Sequence, residues 1–210
     1  KDTPNFIIIY MDDLGWHQTS VRMMDSEPMS KHSFYKTPNV ERLAEMGMCF
    51  SNGYAPTATC TGSRVSIQFG QTSARTQYRY VFDVYHKKQR PNGYAGQYSL
   101  ADSVKTAGKN YITAHFGKGM TEKLKMVNYD VTDEYEKYAP NGNLHGEKID
   151  IPTRRELPPD NPKRIYSLID ESMKFLRENA GKRPFFMMVS HYSVHVPHAA
   201  SQKYMDKWQA

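Results

Sequence analysis

Apolar positions along this chain fall into two kinds of run that alternate: short continuous stretches, and longer stretches at helical spacing. The first is Asn5-Phe6-Ile7-Ile8-Ile9-Tyr10-Met11, which stops abruptly at Asp12-Asp13. A β-branched run of this length without alternation predicts a central parallel strand, buried on both faces, with two carboxylates at its C-terminal end. Thr37-Pro38 predicts a helix start, Thr37 as cap and Pro38 at the first helical position. Val40, Leu43 and Ala44 supply its apolar stripe, and Gly47 ends it. Met48–Tyr54 reads as a second strand. Cys60–Gly70 suits a helix that begins near Cys60, although its periodicity is ambiguous. Leu100–Gly108 predicts a helix closed by glycine, and Tyr111–Phe116 a strand. Ile165, Leu168, Ile169, Met173 and Leu176 recur at helical spacing, so Arg164–Asn179 is the clearest helix, and it feeds a strand at Phe185–Ser190.

Strands alternating with helices imply an α/β fold: a doubly wound, mainly parallel sheet with helices on both faces. A polar stretch rich in Gly, Pro and Asn, about residues 129–162, reads as an irregular excursion over the functional face. The whole of 1–210 is therefore expected to be one α/β domain. No apolar run approaches the roughly 18–20 residues that a membrane span requires. The formal charge of +6 is modest, and Lys87, Lys88 and Arg90 are the one tight basic cluster, without an aromatic stacking motif beside them. Nucleic-acid binding is accordingly not expected. The chain opens at Lys1 with no charged-then-apolar leader, so a secretion signal either has been removed or was never there.

Candidate chemistry gathers where the apolar runs end. Asp12 and Asp13, adjacent at a strand end in apolar surroundings, repel one another unless neutralised, and a hard divalent cation does that with oxygen ligands. The plainer alternative is a helix cap beside a surface carboxylate. In Cys60-Thr61-Gly62-Ser63-Arg64, a helix N-terminus at Cys60 favours anions, and Arg64 lies one turn on, suited to a tetrahedral oxyanion. Otherwise Cys60 is a small buried side chain near a cation. Gly117-Lys118 is no phosphate-binding loop, because Ile112 stands where its first glycine belongs and Gly119 where Ser or Thr belongs. His191 and His195 are four apart, but Tyr192 follows the first and Pro197 opposes a helix, so a zinc site there is only weakly supported. A histidine past the last strand suits a proton donor or an anion contact.

These segments together resemble the type I sulfatases of the alkaline-phosphatase-like superfamily, which use a formylglycine made from cysteine. Pro4 through Gly15 resembles the family's first strand and metal-binding aspartates. Thr37–Ala44 with Gly47–Tyr54 is similar to the next helix–strand unit, and Cys60-Thr61-Gly62-Ser63-Arg64 to the cysteine-to-arginine signature. His115-Phe116-Gly117-Lys118 resembles the lysine motif. Pro184-Phe185-Phe186 through His195-Val196-Pro197 resembles the strand leading to a substrate-contacting histidine, and His195 is preferred to His198 because the family histidine precedes a proline by two. Gly62 departs from the usual proline or alanine, and Gly119-Met120 from the usual Trp and His. A typical member is roughly twice as long, with further metal ligands and another lysine beyond residue 210.

The resemblance implies hydrolysis of a sulfate ester on a carbohydrate or small organic molecule. Cys60, converted by a formylglycine-generating enzyme, would supply the nucleophile, and Asp12, Asp13 and the Cys60-derived group would hold Ca²⁺, or Mg²⁺ in its place. Arg64 and Lys118 would stabilise charge on sulfate oxygens, and His195 or Lys118 would assist the departing alcohol. It also implies a periplasmic or secreted protein. Two alternatives stand beside this reading: a phosphonate or phosphodiester hydrolase of the same superfamily, and a truncated or degenerate relative that only binds sulfated ligands.

Overall fold

The computed structural model describes residues 3–78, 97–120, 128–133, 161–196 and 198–209. They divide into two compact units, Lys1–Asp12 with Pro56–Ala210, and Asp13–Ala55. The larger unit is built on a four-stranded, wholly parallel sheet in the order β1-β4-β2-β3. Its strands are β1 (Phe6–Tyr10), β2 (Ile112–Gly117), β3 (Val131–Thr132) and β4 (Phe185–Ser190). An α/β fold with a parallel sheet is thus present.

β4, not β1, is the central strand. All six of its residues are buried, and it pairs with β1 on one side and β2 on the other. β1 pairs with β4 alone, and Ile7 and Ile9 are 48% and 60% exposed. The apolar run does form the expected strand, but burial on both faces needs neighbours on both sides, and none lies beyond β1 among the described residues.

Alternation along β2 and β4 divides the packing between two faces. Ile112, Ala114 and Phe116, with Phe185, Met187 and Val189, meet Leu168 and Phe175 of α5 (Ile165–Asn179), and this cluster is the core. The opposite face carries His115, Phe186 and Met188. There Gln68 of α2 (Cys60–Phe69) donates to the Met188 sulfur at 3.2 Å and accepts from the Tyr129 hydroxyl at 3.0 Å. α4 (Leu100–Thr106) begins at a reciprocal cap, in which Ser99 accepts the Asp102 N–H and Asp102 accepts the Ser99 N–H. Short α3 (Ser73–Thr76) and α6 (Gln202–Gln209) complete the larger unit.

The smaller unit contains α1 (Pro38–Met46) and a single turn at Pro28–Ser30. Pro38 opens α1 and Gly47 closes it, as the sequence predicts. Thr37, however, makes no capping bond. Its hydroxyl is shared with Ser20, accepting the Ser20 N–H at 3.0 Å and lying 2.8 Å from the Ser20 hydroxyl. The strand expected at Met48–Tyr54 is absent, since extended backbone without a ladder partner has no reason to settle as a strand. Most of the excursion expected at residues 129–162, and the Lys87-Lys88-Arg90 cluster, lie outside the described residues.

Candidate active site

The C-terminal ends of β1, β2 and β4 deliver the site, at the edge where open parallel sheets bind ligands. The β1–β4 ladder runs on past both strand ends: His191 N–H donates to the Tyr10 carbonyl at 2.8 Å, and Asp12 N–H to the Ser193 carbonyl at 2.8 Å. Asp12 is therefore fixed by backbone before its side chain finds a partner. Asp12 is 2% exposed, and its carboxylate meets two cations. Arg64 Nη2 sits 3.1 Å from one oxygen, and Lys118 Nζ pairs with the other. Two buried cations around one buried anion leave a local excess of positive charge.

Arg64 is the organising residue. Its Nη1 donates to the Lys118 carbonyl at 2.9 Å and to the Ser190 hydroxyl, and its Nη2 also reaches the His191 carbonyl at 3.4 Å. Nε has no hydrogen-bond partner among the described residues. The guanidinium thus ties α2 to the ends of all three strands. Lys118 follows β2, and its N–H donates to the Ser190 carbonyl at 2.7 Å.

Cys60 is half-buried at the first position of α2. Tyr10 links it to the ion cluster. The Arg64 guanidinium lies 4.9 Å from the Tyr10 ring centre. Burial raises the Tyr10 phenol above its ordinary value; Asp12 and Cys60 add to the rise, while Arg64 and a Ser63 hydrogen bond oppose it. Gly62 is required by its surroundings. A Cβ there would stand 2.7 Å from the Thr57 hydroxyl and 2.8 Å from the Tyr78 carbonyl.

Asp13 takes a left-handed conformation, φ 58°, and belongs to the smaller unit. His195 is half-buried beyond β4, its Nδ1 2.6 Å from the Val196 carbonyl and its N–H donating to the Tyr192 carbonyl at 3.2 Å. Of the two histidines His191 and His195, it is His191 that touches the cluster, through its backbone carbonyl, which accepts from Arg64; burial lowers the pKa of its imidazole. Sequence reasoning also passed over Ser190, whose one signal was a hydroxyl closing an apolar run, and Tyr10, the residue two before Asp12.

Asp12 has the oxygen chemistry that a hard divalent cation prefers. In number the donors fall short: among the described residues no group of three or more His, Cys, Asp or Glu side chains converges, and both Asp12 oxygens already face cations. The described residues alone do not make a complete metal site.

A second buried ion pair lies beside the first. Asp133 Oδ2 accepts from Arg164 Nη1 at 2.7 Å and from the Gly117 N–H at 3.0 Å. Burial raises the Asp133 carboxyl above its usual range, against the pull of Arg164 and the Gly117 N–H.

Comparison with known proteins bears on what this arrangement does. The sulfatase family model matches residues 4–210. N-acetylgalactosamine-6-sulfatase of Canis lupus familiaris is 24% identical over 98% of this chain and 42% of its own length. A solved structure described as in complex with its substrate D-glucosamine-2-N,6-O-disulfate superposes with a TM-score of 0.68 at 20% identity, over 99% of this chain and 38% of that one. An alkaline phosphatase superfamily protein from Vibrio parahaemolyticus gives a TM-score of 0.55 at 20% identity, over 94% and 42% of the two chains. The chain spans about two fifths of the length of such curated relatives.

Proposed function

Because this chain belongs to the sulfatase family, whose model covers residues 4–210, we propose that it serves hydrolysis of the sulfate ester of a sulfated carbohydrate. Relatives named for sulfated amino sugars support the carbohydrate. The observation that carries the chemistry is the Asp12–Arg64–Lys118 cluster beside Cys60 at the sheet's C-terminal edge.

In this reading Cys60 is the residue converted to formylglycine by a maturation enzyme, and its hydrated aldehyde supplies an oxygen nucleophile toward sulfur. The half-buried position of Cys60 at a helix start suits that role, being partly open to solvent and one helical turn before Arg64. Lys118 and Arg64 carry the positive charge that a sulfate and its more charged transition state need, in a dry setting where such charge counts most. Arg64 does so chiefly by holding Lys118 and Asp12 in place. His195 is the candidate proton donor to the departing alcohol. A divalent cation, Ca²⁺ or Mg²⁺, would draw on Asp12, which the sequence pairs with Asp13, and would supply Lewis-acid polarisation of the ester. Residues 1–210 are read as the N-terminal portion of one catalytic domain. A periplasmic or secreted setting is proposed on the family's habit; no helix among the described residues is long and apolar enough to cross a membrane.

The deciding experiment pairs intact-mass analysis of Cys60, in protein from its native host, with parallel assays on aryl sulfate and aryl phosphate. The expected result is the mass of formylglycine and faster sulfate hydrolysis. An unmodified thiol favours the reading in which the protein only binds sulfated ligands, and faster phosphate hydrolysis overturns the sulfatase assignment.

A further inference from the structure

We infer that Asp133 is a positioning residue for Lys118, holding the Gly117–Lys118 turn at the end of β2 so that the ammonium meets Asp12; the inference rests on the sulfatase reading above.

Lys118 is long and flexible, and ordering its side chain costs up to about 2 kcal/mol of rotamer entropy. It points at one carboxylate only if the backbone below it is fixed. Three hydrogen bonds fix it. The Lys118 N–H is held by the Ser190 carbonyl at 2.7 Å and its carbonyl by Arg64 at 2.9 Å. In the third, the Gly117 N–H donates to Asp133 Oδ2 at 3.0 Å. Gly117 has φ 96°, and its Cα lies so close to β4 that an added Cβ would stand 2.1 Å from the Ser190 carbonyl oxygen. The turn therefore cannot move toward β4, the Lys118 N–H bond to Ser190 resists movement away from it, and Asp133, on the β3 side, fixes the orientation of the Gly117 peptide.

Asp133 is itself fixed. Its N–H donates to the His115 carbonyl at 3.4 Å, extending the β2–β3 pairing by one residue. Arg164, just ahead of α5, orients the carboxylate at 2.7 Å and shares its other face with Glu171 at 3.4 Å. A plain buried ion pair can be exchanged for apolar residues at little cost. Here that exchange would orphan the Gly117 N–H, because the same carboxylate oxygen accepts from both. What the pair provides beyond stability is the place of the next residue, Lys118.

The test needs no turnover, so it separates this inference from the sulfatase reading. Lysines are labelled at Cε and Nζ, and the Lys118 resonance is identified by its loss in Lys118→Arg. In the unaltered chain the Gly117 amide is expected to exchange as slowly as the β2 core amides; exchange at the rate of exposed loops overturns the inference whatever any variant does. The double variant Asp133→Leu/Arg164→Met removes the acceptor and leaves no buried charge unpaired, because Glu171, which also meets Arg164, has a side chain 37% exposed to solvent. It is expected to keep its far-ultraviolet dichroism while the Lys118 resonance collapses into the envelope of exposed lysines. Asp133→Glu is expected to restore much of the distinct signal. A folded double variant with an unchanged Lys118 resonance defeats the proposal. Adding inorganic sulfate then addresses the other question: a Lys118 signal that senses Asp133 but not sulfate would leave the positioning role standing and count against the sulfatase reading.

Discussion

At the scale of single residues, the site is governed by one buried anion and the two cations it holds. Removing Asp12 strands Arg64 and Lys118, both nearly fully buried, and a buried charge stripped of its partner costs about 3–5 kcal/mol. Asp12→Ala is therefore expected to lower the urea midpoint sharply, and a change within error would show that the cluster contributes nothing to folding. His115 carries a separate pH dependence. It is 1% exposed and held at a pKa of about 3, first by burial and then by the nearby Arg64 guanidinium, with Tyr129 packed edge-on at 5.4 Å. The native state therefore binds fewer protons than the unfolded chain between pH 3 and the ordinary histidine value of 6.5. Its contribution is fully present above pH 6.5 and is lost as pH falls toward 3. His115→Gln is expected to flatten the rise of stability between pH 4 and 7 in urea titrations, and an unaltered slope in the variant would refute the assignment.

At the scale of elements, two glycines set how closely α2 and β2 approach what surrounds them. An alanine at Gly117 meets the Ser190 carbonyl at 2.1 Å and a φ of 96°, so Gly117→Ala is expected to cost about 3 kcal/mol or more and to disorder the β2–β4 junction. Gly62→Ala faces Thr57 and Tyr78 at 2.7–2.9 Å on an unstrained helix, and about 1–3 kcal/mol is expected. Thermal melts of both, with Gly117→Ala the less stable, check the order. Periodicity and punctuation made most elements legible beforehand. The helical spacing from Ile165 to Leu176 became α5, the stretch from Leu100 to a closing glycine became α4, and the apolar run Phe185–Ser190 became β4 with the same bounds. Neighbour-dependent properties were not legible. Nothing local distinguishes a central strand from an edge strand, so among the described residues β1 lies at an edge where a centre was expected. Met48–Tyr54, strand-like in composition, lacks a partner and stays irregular. The site residues sat at run ends, where chemistry interrupts apolar patterning, which is why Asp12, Cys60, Arg64 and Lys118 stood out. Asp133 and Ser190 did not, because their importance lies in bonds to distant segments.

At the scale of the whole molecule, the question is what an exposed β1 does in solution. In the larger unit Phe6, Ile7 and Ile9 are 46–60% exposed on a strand that, among the described residues, pairs on one side only. An edge of this kind joins unpaired backbone donors and acceptors to an apolar surface, which is the template for edge-to-edge pairing between chains. The formal charge of +6 over 210 residues opposes close approach, but at physiological ionic strength screening confines that repulsion to about 8 Å. Short-range apolar pairing at the edge should therefore prevail at high protein concentration. The 210-residue chain is expected to self-associate in a concentration-dependent way by light scattering coupled to size exclusion. Ile9→Lys, which places a charge on the most exposed position of β1 without touching the Asp12–Arg64–Lys118 cluster, is expected to shift the population to monomer. Equal association by both proteins would mean that the contact lies elsewhere than β1. Weaker association at lower ionic strength in the parent chain, with the variant monomeric throughout, would separate the apolar edge from the charge that opposes it.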